Sequence, residues 1–228
     1  MKSSLWNKIA AVAVGVGISW SVQAQQEVKI GVIYPLTGPG AAVGAELRNA
    51  LELAADVINN GAPGIADLPF SAGKGLPNLK GAKIKLVFAD HQANPQIGAT
   101  EAERLITQEK VVAIVGAYNS AVTATASQVA ERAGIPFLNP ESSSASLTQR
   151  NFKWFFRTTP HDDLFVHNAF EFLKEFEAKK GIKPKSIASF NENGLWGAET
   201  TKLQAKLAVD FGQNLVKHCL LYTSPSPR

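Results

Sequence analysis

The stretch that decides the fold is residues 111–150, which read VVAIVGAYNSAVTATASQVAERAGIPFLNPESSSASLTQR. Val111–Val115 is an unbroken apolar run, which is typical of a strand buried on both faces of a parallel sheet. Gly116 ends the run, and Asn119 or Ser120 can then cap the helix that the following apolar positions predict. These positions are Val122, Ala126, Val129, Ala130 and Ala133.

A second strand, predicted for Ile135–Leu138, follows this helix, and the hydroxyl side chains of Ser142–Ser144 follow that strand. The carboxyl ends of parallel strands lie at one edge of a sheet, where open α/β sheets bind their ligands. A helix that begins at this edge offers free N–H groups and a positive potential to an anion. The sequence therefore predicts a polar, ligand-binding edge made of these two turns.

Strand and helix patterns alternate from Val28 to Arg157, which predicts a doubly wound parallel sheet. A glycine- and proline-rich loop interrupts the alternation at residues 61–80. Further strands are predicted at Val28–Tyr34, Ile84–Phe88, Phe152–Arg157, Ser186–Phe190 and from Leu215, and further helices around Leu47–Ile58, Ile97–Glu109, Val166–Phe176 and Leu203–Phe211.

The N-terminal segment has the pattern of a secretory signal. Lys2 and Lys8 form a basic region, Ile9–Ile18 is apolar, and Val22–Ala24 is a small-x-small cleavage site. The apolar run is about half the roughly 20 residues that span a bilayer. We therefore expect residues 1–24 to be a cleaved signal peptide, with an uncleaved anchor helix as the alternative.

Charge, cysteine and histidine content exclude several classes of partner. The formal net charge is +4, but three of the positive residues lie in the leader and at the C-terminal residue, and the remainder is almost neutral without a basic run. We therefore expect no nucleic-acid partner.

The single cysteine, Cys219, cannot form an internal disulfide, and export without disulfides indicates a bacterial periplasm. We expect no metal site, because the histidines lack ligand spacing, and we expect no cofactor. The histidines are His91, His161, His167 and His218.

Ile30–Pro39 resembles the opening of the type I periplasmic binding proteins, the Leu/Ile/Val-binding branch of ABC-transporter receptors. The resemblance covers residues 28 to about 216 and implies two α/β lobes that close on a ligand about a hinge. Residues 25–157 would form the first lobe and residues 158–217 part of the second. The matching motifs are Asp90–Pro95, Val115-Gly116, Ser120, Ile135-Pro136, Leu147–Arg150 and Phe156–Thr158.

The resemblance also implies a ligand site. Ser120 would bind an α-carboxylate, while the carbonyl of Glu141 and the hydroxyl of Ser143 would accept from an ammonium group. Trp196 would cover the ligand, and Val43 stands where many relatives carry a tyrosine that borders the side-chain pocket. Glu141 replaces a small residue, so a carboxylate that faced the cleft would favour a cationic or polar ligand.

Each of these residues also has a purely structural interpretation. Ser120 could be a helix cap, Ser143 part of a polar turn, Glu141 a solvated acid at a helix start, and Trp196 a packing residue between lobes.

We expect a periplasmic solute receptor that binds an amino acid, branched-chain or related, or a small amide. It would pass the solute to an inner-membrane ABC permease, act as a monomer when full length and catalyse nothing. One alternative is the sensor domain of a signalling protein or amide regulator. The other is a nucleotide-dependent enzyme, but Gly38–Gly44 has the spacing Gly-x-Gly-x-x-x-Gly, and no acid ends a second strand about 20 residues later.

Residues 218–228 do not continue the pattern. Pro225 and Pro227 are incompatible with a central strand, and the segment resembles a translated sequencing adapter. We therefore expect a non-native tail, a C-terminal truncation and an incomplete second lobe. A marginally folded chain would follow, with unpartnered apolar faces at Phe170, Phe176 and Phe211.

Overall fold

A computed structural model of the chain describes residues 26–62, 64, 68 and 70–221. The predicted signal peptide and residues 222–228 of the predicted tail lie outside this range. The strands are β1 (Glu27–Tyr34), β2 (Lys83–Asp90), β3 (Ala113–Gly116), β4 (Phe137–Asn139), β5 (Phe155–Arg157), β6 (Ile187–Glu192) and β7 (Leu215–Leu221). The helices are α1 (Ala41–Asn60), α2 (Pro95–Thr107), α3 (Ser120–Ala133), α4 (Asp162–Lys180) and α5 (Leu195–Asp210).

The first five strands form one parallel sheet in the order β2-β1-β3-β4-β5. From β1 the chain crosses to one side for β2 and then to the other side for β3. This reversal is the switch point at which α/β sheets open a ligand crevice beyond the carboxyl ends of their strands. Tyr34 ends β1, Gly116 ends β3 and Asn139 ends β4, so the turns after these residues face the crevice.

The core of this sheet comes from the apolar positions that the sequence pattern marked. Side chains from three strands and two helices are fully buried in one cluster, and these include Ile33, Leu105, Ile114, Val122 and Phe137. Gly44 in the first turn of α1 lies against the backbone of Pro35, and an added Cβ would collide with the Pro35 carbonyl oxygen. Glycine therefore lets α1 begin directly over the end of β1.

The last two strands form a separate parallel sheet, on which α4 and α5 pack. Phe170 is buried beside Val166 and Leu207, and its ring centroid lies 5.6 Å from that of Phe211. Phe176 lies 6.2 Å from Phe172 by the same measure. The expectation that Phe170 and Phe211 lack partners is therefore wrong, whereas the neighbour of Phe176 is an exposed residue of its own helix.

The α/β class with parallel sheets flanked by helices is confirmed, but several boundaries differ from the sequence prediction. The third strand begins at Ala113, where regular pairing with β1 starts, and the fifth begins at Phe155. The seventh strand pairs with β6 as far as Leu221, so the first residues of the predicted tail extend it. Among the described residues, no helix is long and apolar enough to cross a membrane.

Candidate ligand-binding site

A cavity of about 450 Å³ opens beyond the ends of β1, β3 and β4. Its volume lies in the range of ~300–1,000 Å³ that is usual for small-molecule sites. All five residues that the sequence nominated line it: Val43, Ser120, Glu141, Ser143 and Trp196. The other lining residues are Pro39, Gly40, Ala93, Tyr118, Asn119 and Glu192.

Ser120 is the first residue of α3 and lies where the loop after β3 meets the cavity. It is buried, and its hydroxyl oxygen accepts a weak hydrogen bond from the Ser144 N–H at 3.4 Å. Asn119 occupies the cap position, but its side chain forms no capping bond, and its Oδ1 is buried without a hydrogen-bond partner among the described residues. The N–H groups of the first turn of α3 therefore have no side-chain cap and can serve an anion.

His91, which follows β2, is hydrogen-bonded to the loop after β3. It is fully buried, its Nε2 donates to the Ala117 carbonyl at 2.8 Å, and its Nδ1 accepts from the Ala93 N–H at 3.0 Å. Both ring nitrogens are thus used by the neutral imidazole. Burial lowers the pKa of His91, which keeps it neutral. Because both ring nitrogens are bound to backbone groups, His91 positions the loop after β3 and has no nitrogen free for a ligand.

A chain of hydroxyl groups joins the turns after β3 and β4. The Thr123 hydroxyl oxygen accepts from the Ala117 N–H at 3.1 Å and lies 2.6 Å from the Ser142 hydroxyl oxygen. Ser142 in turn donates to the Tyr118 carbonyl at 2.9 Å. Tyr118 has a φ of +77°, a left-handed conformation that is rare for a bulky residue, and these bonds hold it beside the cavity.

Asn139 shapes the turn that carries the second pair of site residues. Its Oδ1 accepts from the Ser142 N–H at 2.9 Å, and its Nδ2 donates to the Ser142 carbonyl at 2.8 Å. The side chain is fully buried. This pair of hydrogen bonds to the backbone of Ser142 fixes the turn on which Glu141 and Ser143 face the cavity.

The side chain of Glu141 reaches from the end of β4 to the end of β1. Its Oε1 accepts a 2.5 Å hydrogen bond from the Tyr34 hydroxyl, and its Oε2 is buried and has no hydrogen-bond partner in the described part of the chain. Burial raises the pKa of Glu141 to about 7, against the smaller lowering effect of the bond from Tyr34. Burial and the nearby carboxylate also raise the pKa of Tyr34, so Tyr34 stays a hydrogen-bond donor. The interpretation of Glu141 as a solvated acid does not fit these contacts.

Trp196 and Glu192 approach the cavity from the second sheet. Glu192 ends β6, and its Oε1 accepts from the Gly197 N–H at 3.2 Å in the first turn of α5. An added Cβ at Gly197 would collide with the Glu192 carbonyl oxygen, so glycine is needed where α5 turns over the strand end. This tight turn places the Trp196 side chain at the cavity.

Two links tie the turn after β4 to the second α/β unit. The Ser143 carbonyl accepts from the Asp162 N–H at 2.9 Å, and the Asp162 carboxylate accepts from the Thr200 hydroxyl, also at 2.9 Å. The Ser144 hydroxyl donates to Glu199 on α5. A second cavity of similar size lies between α4, α5 and β6, but its lining is mainly apolar.

The lining includes residues that the sequence did not nominate: Tyr118, Asn119 and Glu192. Each follows or ends a strand, so the rule that ligands bind at carboxyl ends of strands could have found them. Tyr34, the partner of Glu141, was visible only as the last apolar residue of the first strand. The lining contains two carboxylates and no Lys, Arg or His side chain among the described residues.

Residues 27–218 match the family model described as periplasmic binding protein. The chain belongs to the periplasmic binding protein family. It is 31 % identical over 212 residues to "Leu/Ile/Val-binding protein homolog 7" of Brucella suis, a match that covers 91 % of this chain and 49 % of that protein. It is 32 % identical over 208 residues to "Amino acid binding protein" of Pseudomonas aeruginosa, covering 90 % and 50 %. The chain thus spans about half the length of the curated relatives it matches.

Solved structures show the same fold at lower identity. The branched-chain amino acid transporter substrate-binding protein of Streptococcus pneumoniae, solved with isoleucine, superposes with a TM-score of 0.68 at 23 % identity, covering 86 % of this chain and 50 % of that one. A solute-binding protein of an ABC transporter from Rhodopseudomonas palustris, solved with 3,4-dihydroxybenzoic acid, gives a TM-score of 0.66 at 22 % identity, covering 86 % and 47 %. These neighbours confirm the periplasmic binding protein fold.

Proposed function

We propose that this chain is the ligand-binding part of a periplasmic solute receptor, which binds an amino acid or a small amide and delivers it to an ABC permease in the inner membrane. The observation that carries the proposal is the convergence of Ser120, Ser143 and Trp196 on one cavity at the switch point of the sheet. The uncapped first turn of α3 beside Ser120 suits a carboxylate, and the hydroxyl of Ser143 can accept from an ammonium group.

The site supports binding rather than catalysis. In the part of the chain that the structure describes, the hydroxyls of Ser120 and Ser143 are not hydrogen-bonded to an imidazole, and His91 already uses both of its ring nitrogens for backbone bonds. A serine nucleophile requires an adjacent general base within hydrogen-bond reach. The two solved neighbours hold an amino acid in one case and a dihydroxybenzoic acid in the other, so the ligand depends on the lining residues and not on the fold.

The test is a binding screen on the complete gene product by isothermal titration calorimetry. The panel contains branched-chain, polar and charged amino acids together with acetamide and urea. We expect at least one member of the panel to bind. Ser120→Ala should lower the affinity for an amino acid by about tenfold or more, because it removes a hydrogen bond to the carboxylate of the ligand. Thr100→Ala, which removes an exposed helix hydroxyl, is the matched control. A screen without any binding would reject the proposal.

A transport assay tests the second half of the proposal. Deletion of the gene in its host should abolish uptake of the radiolabelled solute that the screen identifies, and the wild-type gene should restore it. Unchanged uptake in the deletion strain would show that the protein does not deliver the solute to the permease, even if it binds the solute.

A further inference from the structure

We propose that Glu141 is a specificity-determining residue that makes this receptor select solutes carrying an additional cationic N–H group, such as a guanidinium or a primary ammonium. The inference rests on the proposed function, because it concerns the same cavity, and it narrows the class of solute.

The first argument is the unmatched hydrogen-bonding capacity of Glu141. One carboxylate oxygen is bound by Tyr34, but Oε2 is buried without a partner among the described residues, and a buried acceptor of this kind carries a desolvation cost. Asn119 Oδ1, also in the cavity lining, is in the same state. Unmatched acceptors in a cavity fit a ligand that brings hydrogen-bond donors.

The second argument is the charge of the lining. Glu141 and Glu192 both line the cavity, and no Lys, Arg or His side chain is found among the lining residues that the structure describes. The N-termini of α1, α3 and α5 reach this lining at Val43, Ser120 and Trp196 and offer partial positive potential, but none of them carries a formal charge. A zwitterionic amino acid leaves at least one of the two carboxylates without a counter-charge, whereas a second cationic group supplies it.

The third argument is where the carboxylate of Glu141 lies. The hydrogen bond from Tyr34 draws it towards the end of β1, the side of the cavity that Val43 and Gly40 line. The backbone carbonyl of Glu141 and the Ser143 hydroxyl remain for an α-ammonium group. The carboxylate therefore meets a different part of the solute, the end of its side chain. Trp196 adds a ring face, which attracts a cation.

The experiment compares L-arginine, L-lysine, L-leucine, L-glutamine and glycine betaine on the complete gene product at pH 8, where Glu141 is mostly ionised. We expect L-arginine or L-lysine to bind about tenfold or more tightly than L-leucine. Glu141→Gln should remove this advantage, so that the affinities of the variant for L-arginine, L-lysine and L-leucine lie within about threefold of one another. Glu103→Gln, an exposed acid on α2, is the control, and a thermal melt verifies that both variants are folded.

The other outcomes separate the two proposals. If L-leucine or L-glutamine binds as tightly as the cationic amino acids, or if Glu141→Gln weakens all of them equally, the specificity role of Glu141 is wrong while the receptor proposal stands. Preferred binding of glycine betaine, which has no N–H donor, would assign the cation to Trp196 and also overturn the inference. If no member of this panel or of the wider screen binds, both proposals fall.

Discussion

The hydroxyl of Tyr34 donates a 2.5 Å hydrogen bond to Oε1 of Glu141, although the two residues are 107 positions apart in the chain. The bond joins the end of β1 to the turn after β4, across the end of the strand that lies between them, β3. It leaves the Glu141 carboxylate buried with its second oxygen unpaired. A titratable group in such surroundings makes the stability of the protein depend on pH.

Glu141→Gln should become progressively more stable than the wild type as pH rises. The folded protein raises the pKa of Glu141 to about 7 from an ordinary value of 4.5, so it binds a proton that the unfolded chain releases. Wild-type stability from this group is therefore present below pH 4.5 and is lost as pH rises through 7. The difference in unfolding free energy should grow by up to about 3 kcal/mol between pH 4.5 and 8.

Urea unfolding of both proteins without ligand, at four pH values across this range, measures the difference. Glutamine keeps an oxygen that can accept from Tyr34, so the variant isolates the charge. Glu103→Gln is the control and should run parallel to the wild type. Parallel curves for Glu141→Gln as well would show that the carboxylate is solvated in the folded protein.

The sheet and the strand-end turns could be predicted from the sequence because their signals are local. Apolar periodicity identified α3, and polar turns after apolar runs brought Ser120 and Ser143 to one edge. The start of β3 differs by two residues, because Val111 and Val112 continue the apolar run while regular pairing with β1 begins at Ala113. The Val112 N–H already donates to the Lys29 carbonyl of β1, although the Val112 side chain is exposed. An apolar run does not show at which of its residues the regular pairing of the strand begins.

The contacts that complete the site could not be predicted, since no local pattern encodes them. Tyr34 meets Glu141 only because the sheet order places β1 and β4 on either side of β3. Glu192 joins the lining because the second α/β unit packs beside the turn after β4. In sequence it is one polar residue in an Asn-Glu-Asn-Gly turn.

His91→Ala should destabilise the protein and weaken solute binding together. The substitution removes a fully buried ring and leaves the buried Ala117 carbonyl without its partner, which costs about 1–3 kcal/mol, and it also breaks the bond from the N–H of the exposed Ala93. We expect a loss of about 2–4 kcal/mol in unfolding free energy at pH 7. His218→Ala, at an exposed position of β7, is the control. A loss below about 0.5 kcal/mol, the usual scale of a surface change, would contradict the supporting role of His91.

Asn139→Ala should loosen the turn after β4. It removes both hydrogen bonds to Ser142 and leaves two backbone groups unpaired, so we expect about 2–3 kcal/mol of lost stability. Solute affinity should fall as well, because the turn carries Glu141 and Ser143. Chemical unfolding and calorimetry measure the two effects, and Asn60→Ala on the exposed end of α1 is the matched control. If the variant is destabilised but its solute affinity is unchanged, the turn after β4 does not position the ligand-binding residues.

Trp196→Phe should abolish the change in intrinsic fluorescence that solute binding causes. Trp196 lines the cavity, so a bound solute alters the polarity around its indole, whereas Trp154 is 41 % exposed and lies outside the lining. The other two tryptophans within these 228 residues, Trp6 and Trp20, fall in the predicted signal peptide. We therefore expect Trp154→Phe to keep the full ligand-induced change. If Trp196→Phe retains it and Trp154→Phe loses it, Trp196 is a packing residue between the two α/β units and not a ligand contact.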